Sequence, residues 1–199
     1  EYKPDQAFLT LGTNHVYILN ETGEIVDNCM KKPQKLFTEK VLSTDECYNY
    51  LRKAVMRLMS KNRNIKIIVT VSPIRYRKYG YHESQLSKAT LLLAADKLTK
   101  EEHVDYFPAY EILNDELRDY RFYKEDMLHP SDQAVEYIWE RFAETYFGND
   151  TKEFLNEWKP IKEGLNHKPF NPESEDYKKF INDVTNKYNS FAKKWGITK

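Results

Sequence analysis

Cysteine is nearly absent from this 199-residue chain: Cys29 and Cys47 are the only two. Two thiols make neither a disulfide framework nor a zinc-ligand pattern, so a reducing, cytoplasmic setting is expected, with a single disulfide left open. Long apolar runs are also lacking. None approaches the ~18 residues of a membrane span. Charge of one sign is missing too, since 31 basic residues meet 31 acidic ones. That balance supplies no basic footprint for nucleic acid or for a membrane surface. A secretory signal is not visible, and the chain opens at Glu1 rather than at Met, so an upstream portion is expected to have been removed. Internal repeats and low-complexity segments are absent as well.

What remains is ordinary for a soluble globular protein: 40% apolar and 31% charged residues, enough chain for one core with helical decoration. Aromatic residues reach 14%, with 15 tyrosines, which suits either a polar-edged pocket or tyrosine-rich helix faces.

Ala7 to Leu11 (AFLTL) is an apolar run ending at Gly12 and is expected to be a strand buried on both faces. VYILNETGEIV then predicts a β-hairpin turning at Glu21-Thr22-Gly23-Glu24. Ser43 or Thr44 caps a helix running to about Lys61, with Cys47, Tyr48, Leu51, Val55, Leu58 and Met59 at helical spacing. Ile65 to Val71 is a second buried strand, ended by Ser72-Pro73. After a Tyr- and Arg-rich loop, a helix over 85–100 carries a wide apolar arc including Leu86, Leu91, Leu93 and Leu98. Val104 to Tyr110 is a weaker third strand, and the stretch from Glu111 to Ser131 reads as irregular. A helix over 131–147 is expected to bury Val135, Ile138, Trp139, Phe142 and Tyr146.

Two further helices follow, at about 153–162 and 175–195, separated by a proline-containing linker. The last has an apolar stripe at Tyr177, Phe180, Ile181, Val184, Tyr188, Phe191 and Trp195, which must cover either the main domain or a partner. The expected division is 1–149 for an α/β domain and 150–199 for a helical extension packing on it.

Strands alternating with helices predict right-handed βαβ units and a parallel sheet between helical layers. Only two parallel strands follow AFLTL, which would leave that apolar strand as an open edge. An N-terminal portion, or another chain, is therefore expected to complete the sheet.

In open α/β sheets ligands bind beyond the carboxyl ends of the strands. Three polar segments leave those ends: Gly12 to His15, Ser72 to Arg75, and the loop leading to Asp126-Met127-Leu128-His129. Asp126 and His129 are three residues apart, a spacing at which the carboxylate can hold imidazole Nδ1 and leave Nε2 as a general base. The plainer alternative is that Asp126 or a serine merely caps the helix and His129 is an ordinary surface residue. Asn14 is a candidate oxyanion donor, with Gly12 allowing close backbone approach. Ser72, Arg75 and Tyr76 are candidate contacts for an anionic or carbohydrate substrate, with Arg77 beside them. Arg118, Asp119 and Arg121 are expected to form an ion-pair network fixing the loop before His129. A metal site from His15, Asp126 and His129 has no ligand-spacing motif behind it, and no metal or cofactor is expected. None of the serines sits in a G-x-S-x-G elbow or a comparable strand-to-helix turn.

The segments TLGTNHVYILNETGEIVDN, TVSPIR, QLSKATLLLA, FPAYEI, DELRDYRFY and DMLHPSDQAVEYIWE together resemble the GSCFA-domain family, a bacterial family related to SGNH (GDSL-like) hydrolases. The likeness covers nearly the whole chain. It implies a flavodoxin-like three-layer α/β/α fold and a serine nucleophile in an N-terminal Gly-Ser-Cys-Phe-Ala motif, which these 199 residues do not contain. It also implies that Asp126 and His129 are the D-x-x-H pair and that Asn14 falls in the G-x-N oxyanion block. The chain departs from the expected family pattern at Tyr76 and Ser84, where His and Asn are looked for. The implied activity is that of a hydrolase: an esterase, or an acyl transferase, acting on small acyl esters such as O-acetyl groups of a saccharide or envelope component. This chain alone would be inactive. The alternative is a non-catalytic carbohydrate-binding or assembly module.

Overall fold

The computed structural model describes residues 3–26, 29 and 31–197. Asp27 and Asn28, which end the segment TLGTNHVYILNETGEIVDN, lie outside the described residues. The chain opens on β1 (Gln6–Leu11), followed by β2 (His15–Leu19), β3 (Ile25–Val26) and β4 (Phe37–Val41). Helix α1 (Thr44–Met59), β5 (Lys66–Val71), α2 (Tyr81–Leu98) and β6 (Val104–Phe107) follow. A short turn of helix, α3 (Ala109–Glu111), runs directly into a π-helix, Ile112–Leu117. Last come α4 (Asp132–Tyr146), α5 (Asn149–Leu165) and α6 (Glu175–Trp195).

β1, β5 and β6 form a three-stranded parallel sheet with β5 in the middle. The fold is a mixed α/β, three-layer α/β/α type with a C-terminal helical extension. Val55 of α1 and Ala95 and Leu98 of α2 close over Ile67, Val69 and Val104 to make the main core. The strand buried on both faces is β5 rather than β1: Ile67, Ile68, Val69 and Val71 are fully buried. β1 alternates instead, with Leu9 and Leu11 on the core and Phe8 48% exposed. Composition could not separate these two strands, because burial of the second face depends on position in the sheet.

β2 is the middle strand of a second, antiparallel sheet in the order β3-β2-β4. The predicted hairpin is present, enlarged by β4. Its sequence FTEKV is mostly exposed and has no apolar alternation, so backbone pairing rather than side-chain burial makes it a strand.

Helix α1 begins with a full capping box, in which the Ser43 side chain accepts from the Glu46 backbone N–H and Glu46 reaches back to that of Ser43. Helix α2 starts at Tyr81, earlier than expected, and its inward face differs from the predicted arc: Leu86 and Leu93 are exposed. Its first two turns bury Ser84, Ser87 and Lys88, and only then Leu91, Ala94, Ala95 and Leu98. β6 stops at Phe107 because Pro108 cannot donate to a ladder, and the residues expected to continue the strand turn helical. On α4 the buried residue is Ala134, while Val135 and Trp139 are exposed, contrary to expectation.

Contacts divide the chain into two compact units, Glu1–Trp139 and Glu140–Lys199, with α4 running across the division. In the second unit α6 lays its stripe on α5. Val184 and Phe191 are buried, and Phe154, Trp158, Phe191 and Trp195 form a cluster of rings. Helix α5 runs through Pro160, well past the expected 153–162. An interior proline costs about 3 kcal/mol, and burial of Ile161 and Gly164 beside it helps offset that cost. Cys29 and Cys47 are free thiols. Among the described residues, no helix is long and apolar enough to cross a membrane.

Candidate functional site

The turn carrying Asp126 and His129 is built by short-range bonds. Lys124 N–H donates to the His129 carbonyl at 2.8 Å, Met127 N–H to the Lys124 carbonyl at 2.9 Å, and Tyr123 bridges Pro130. Met127 takes φ +59°, a left-handed conformation costly for a long side chain and held here by the bonds around it. Pro130 is therefore part of this bridge and lies before α4, which starts at Asp132. The N-terminus of α4 is capped by Ser131, whose Oγ accepts from Ala134 N–H at 3.3 Å. Asp126 is thus not the cap.

Asp126 is turned entirely onto its own loop. Oδ1 accepts the backbone N–H groups of Leu128 and His129 at 2.9 and 3.0 Å, and Oδ2 lies 2.5 Å from His129 Nδ1. Hydrogen bonds from the His129 and Leu128 backbones, then from the His129 ring, hold the Asp126 carboxyl down at about 2. An ionised Asp126 therefore keeps the proton on Nδ1 and leaves Nε2 as an acceptor. Both side chains are open to solvent, His129 at 54% and Asp126 at 44%. No described residue hydrogen-bonds to His129 Nε2.

Arg75 joins this turn to the sheet. Its backbone N–H donates to the Leu128 carbonyl at 3.1 Å, and Nη1 donates to that of Met127 at 3.3 Å. The guanidinium lies 4.0 Å from the centre of the Tyr123 ring. Next along, Tyr76 places its hydroxyl where a Cβ at Gly12 would have to go, so a side chain there would have to displace the tyrosine. Ser72 sits beside them: its N–H donates to the Leu11 carbonyl at 2.8 Å, and its Oγ is taken up by Ile74 N–H at 3.4 Å.

The residues that hold these loops together were missed in the sequence. Lys88, 2% exposed, donates from Nζ to the carbonyls of Gly12 and Ser72, at 2.5 and 2.6 Å. It therefore ties the end of β1 to the end of β5. Ser87 Oγ accepts from Asn14 N–H at 2.9 Å and lies 3.0 Å from Thr13 Oγ1, while Ser84 Oγ accepts from Tyr76 N–H at 3.2 Å. Burial pulls the Lys88 ammonium down to about 8. It is still mainly charged at neutral pH, and the two carbonyl oxygens face that charge. The available signal was spacing: 84, 87 and 88 continue the inward stripe of 91, 94, 95 and 98.

Asn14 is buried, and its Nδ2 donates to the Leu42 carbonyl at 2.7 Å. The unpartnered atom of this side chain is Oδ1, an acceptor. Asn14 lines a cleft with Leu42, Ser43, Glu46 and Ser87. His15 stacks on Tyr79 at 3.7 Å, and its Nδ1 lies 3.4 Å from Glu39, so it does not join Asp126 and His129. Arg118 and Arg121 form no shared network: Arg118 lies 3.9 Å from Asp115, and Arg121 lies 3.8 Å from Asp119.

A parallel sheet between helices, with polar loops at the carboxyl ends of its strands, defines the class of the protein as an α/β domain. The chain belongs to the GSCFA family: the family model matches residues 3–142, and a second model, the GSCFA domain protein C-terminal domain, matches residues 158–196. No curated protein and no solved structure matches the chain.

Proposed function

We propose that this chain carries the acid–base half of an SGNH-like ester hydrolase or acyl transferase acting on small acyl esters, such as O-acetyl groups of a saccharide. The observation that carries this reading is the 2.5 Å approach of Asp126 Oδ2 to His129 Nδ1, with Asp126 Oδ1 pinned by two backbone N–H groups. Two of these bonds close the turn, and the third fixes the imidazole, which is the part this reading uses.

In this reading His129 Nε2 takes the proton from an attacking hydroxyl and returns it to the leaving alcohol, while Asp126 fixes the tautomer and supports the imidazolium. The hydroxyl is that of the family's Gly-Ser-Cys-Phe-Ala serine. On this reading the 199 residues alone would be inactive. Gly12 and Asn14 form the oxyanion side, Asn14 offering the Nδ2 hydrogen that Leu42 does not take. Ser72, Arg75 and Tyr76 border the substrate.

The test is acetyl-ester hydrolysis by the natural full-length protein beside its His129→Ala and Asp126→Asn variants. Either substitution should lower kcat about 100-fold or more. Unchanged turnover in His129→Ala would remove the imidazole from the chemistry. No turnover of any acyl ester by the parent, with saccharide binding intact, would favour a non-catalytic binding or assembly module.

A further inference from the structure

Beside the His129 turn lies a cleft of about 210 Å³, bounded by Arg75, the π-helix and Tyr120. It holds more positive than negative charge. Arg75 is half-buried, yet among the described residues no carboxylate pairs with it; its side chain meets Met127 O and the rings of Tyr120 and Tyr123. A partly desolvated guanidinium without a counter-ion is costly unless a ligand supplies one. Arg118 ends the π-helix in the left-handed region, at φ 36° and ψ 37°. Among the described residues its carboxylate neighbour is Asp115, 3.9 Å away, and both side chains are largely in water. Asp119, which also faces the cleft, has its carboxylate engaged by Arg121, accepting the backbone N–H at 2.9 Å.

The cleft also has a flat apolar surface. Tyr120 is 67% exposed, and its ring centre is 5.7 Å from the Arg75 guanidinium. An aromatic face beside an unpaired arginine suits a ligand that stacks and carries an anion in the same small body. Arg presents paired N–H groups that match a carboxylate. The space accommodates about one sugar ring.

We infer that this cleft binds a pyranose bearing a carboxylate, a hexuronate, with the carboxylate on Arg75 and Arg118 and the ring against Tyr120. The inference rests on the reading of His129 above and sharpens it: the acyl group removed or transferred is carried by an acidic saccharide, one residue of which docks beside the reacting imidazole. Arg75 bonds the Met127 and Leu128 carbonyls, so a ligand held there lies next to the turn that presents His129.

The probes are glucuronate, glucose, glucose 6-phosphate and inorganic phosphate, titrated into the protein while backbone amide shifts are followed by NMR. Glucuronate should give saturable shifts at residues around 113–123, with glucose at least 10-fold weaker. Arg75→Gln should weaken glucuronate at least 10-fold, and Tyr120→Ala and Arg118→Gln, both at exposed positions, several-fold. Equal binding of glucose, or unchanged binding in all three variants, would overturn the inference. So would phosphate or glucose 6-phosphate binding more tightly than glucuronate. His129→Ala should leave glucuronate binding intact. Binding without ester turnover would thus remove the hydrolase reading alone, and turnover without binding would remove this one alone.

Discussion

His129 Nδ1 and Asp126 Oδ2 stand 2.5 Å apart across a three-residue turn, and the same carboxylate also closes that turn through the Leu128 and His129 backbones. One side chain therefore shapes the loop and orients the imidazole. Asp126→Ala should disturb both at once. Nitrogen-15 NMR of the His129 ring should show the Nδ1–H tautomer in the parent and a tautomer mixture in the variant. A variant spectrum identical to the parent would mean that the carboxylate does not set the proton's place.

The depressed carboxyl makes the turn acid-sensitive in a defined direction. Asp126 is lowered to about 2, below its ordinary 3.8. The native state therefore holds the ionised form, and its contribution is complete above pH 4 and lost as pH falls through 2. The Asp126 side-chain carboxyl carbon, followed by carbon-13 NMR, should titrate near pH 2. A midpoint at or above 3.8 would contradict the bonding described.

Lys88 shifts the other way. Its ammonium is buried and its value falls from 10.5 to about 8. Between those values the unfolded chain binds more protons than the folded one, so this group makes stability rise as pH increases from 8 towards 10.5. Other groups titrate in the same range, which makes the difference between parent and Lys88→Met the useful quantity. In urea unfolding the parent should gain on the variant across that window. A flat difference would mean that burial does not govern this amine. At pH 7 the variant should be less stable by about 1–3 kcal/mol, since it leaves the carbonyls of Gly12 and Ser72 without their donor.

Gly12 is required by a neighbour rather than by its own backbone angles. A Cβ there would collide with the Tyr76 hydroxyl. Gly12→Ala should cost about 1–3 kcal/mol. Adding Tyr76→Phe, which removes the colliding oxygen, should recover most of it. Additive losses in the double variant would show that the two loops do not meet as described.

In the second unit, a Cβ at Gly164 would lie 2.7 Å from Val184 Cγ2. Helix propensity alone would make Gly164→Ala favourable by about 1 kcal/mol. The contact predicts the opposite sign, a lower Tm, with partial rescue by Val184→Ala. A raised Tm for Gly164→Ala would refute the close packing of α5 on α6.

Several features were readable from residues alone because they depend on neighbours along the chain. The helix cap at Ser43, the turn at Gly23, the end of β5 before Ser72-Pro73, the α6 stripe and the Asp126–His129 spacing are all of this kind. The family resemblance was readable for the same reason, and the match over residues 3–142 agrees with it.

Other features were decided only by the tertiary structure. AFLTL and IKIIVTV are both mainly apolar, and sheet order makes β5 central and leaves Phe8 of β1 exposed. Helix α2 points Ser84, Ser87 and Lys88 inward because strand-end carbonyls and loop amides, not apolar side chains, lie beneath its first turns. Asn14 gives an amide hydrogen to the Leu42 carbonyl because residues 28 positions apart meet there. Spacing along a chain encodes which side chains share a face. What that face meets, and which polar atoms remain free for a ligand, is settled only when distant segments are brought into contact.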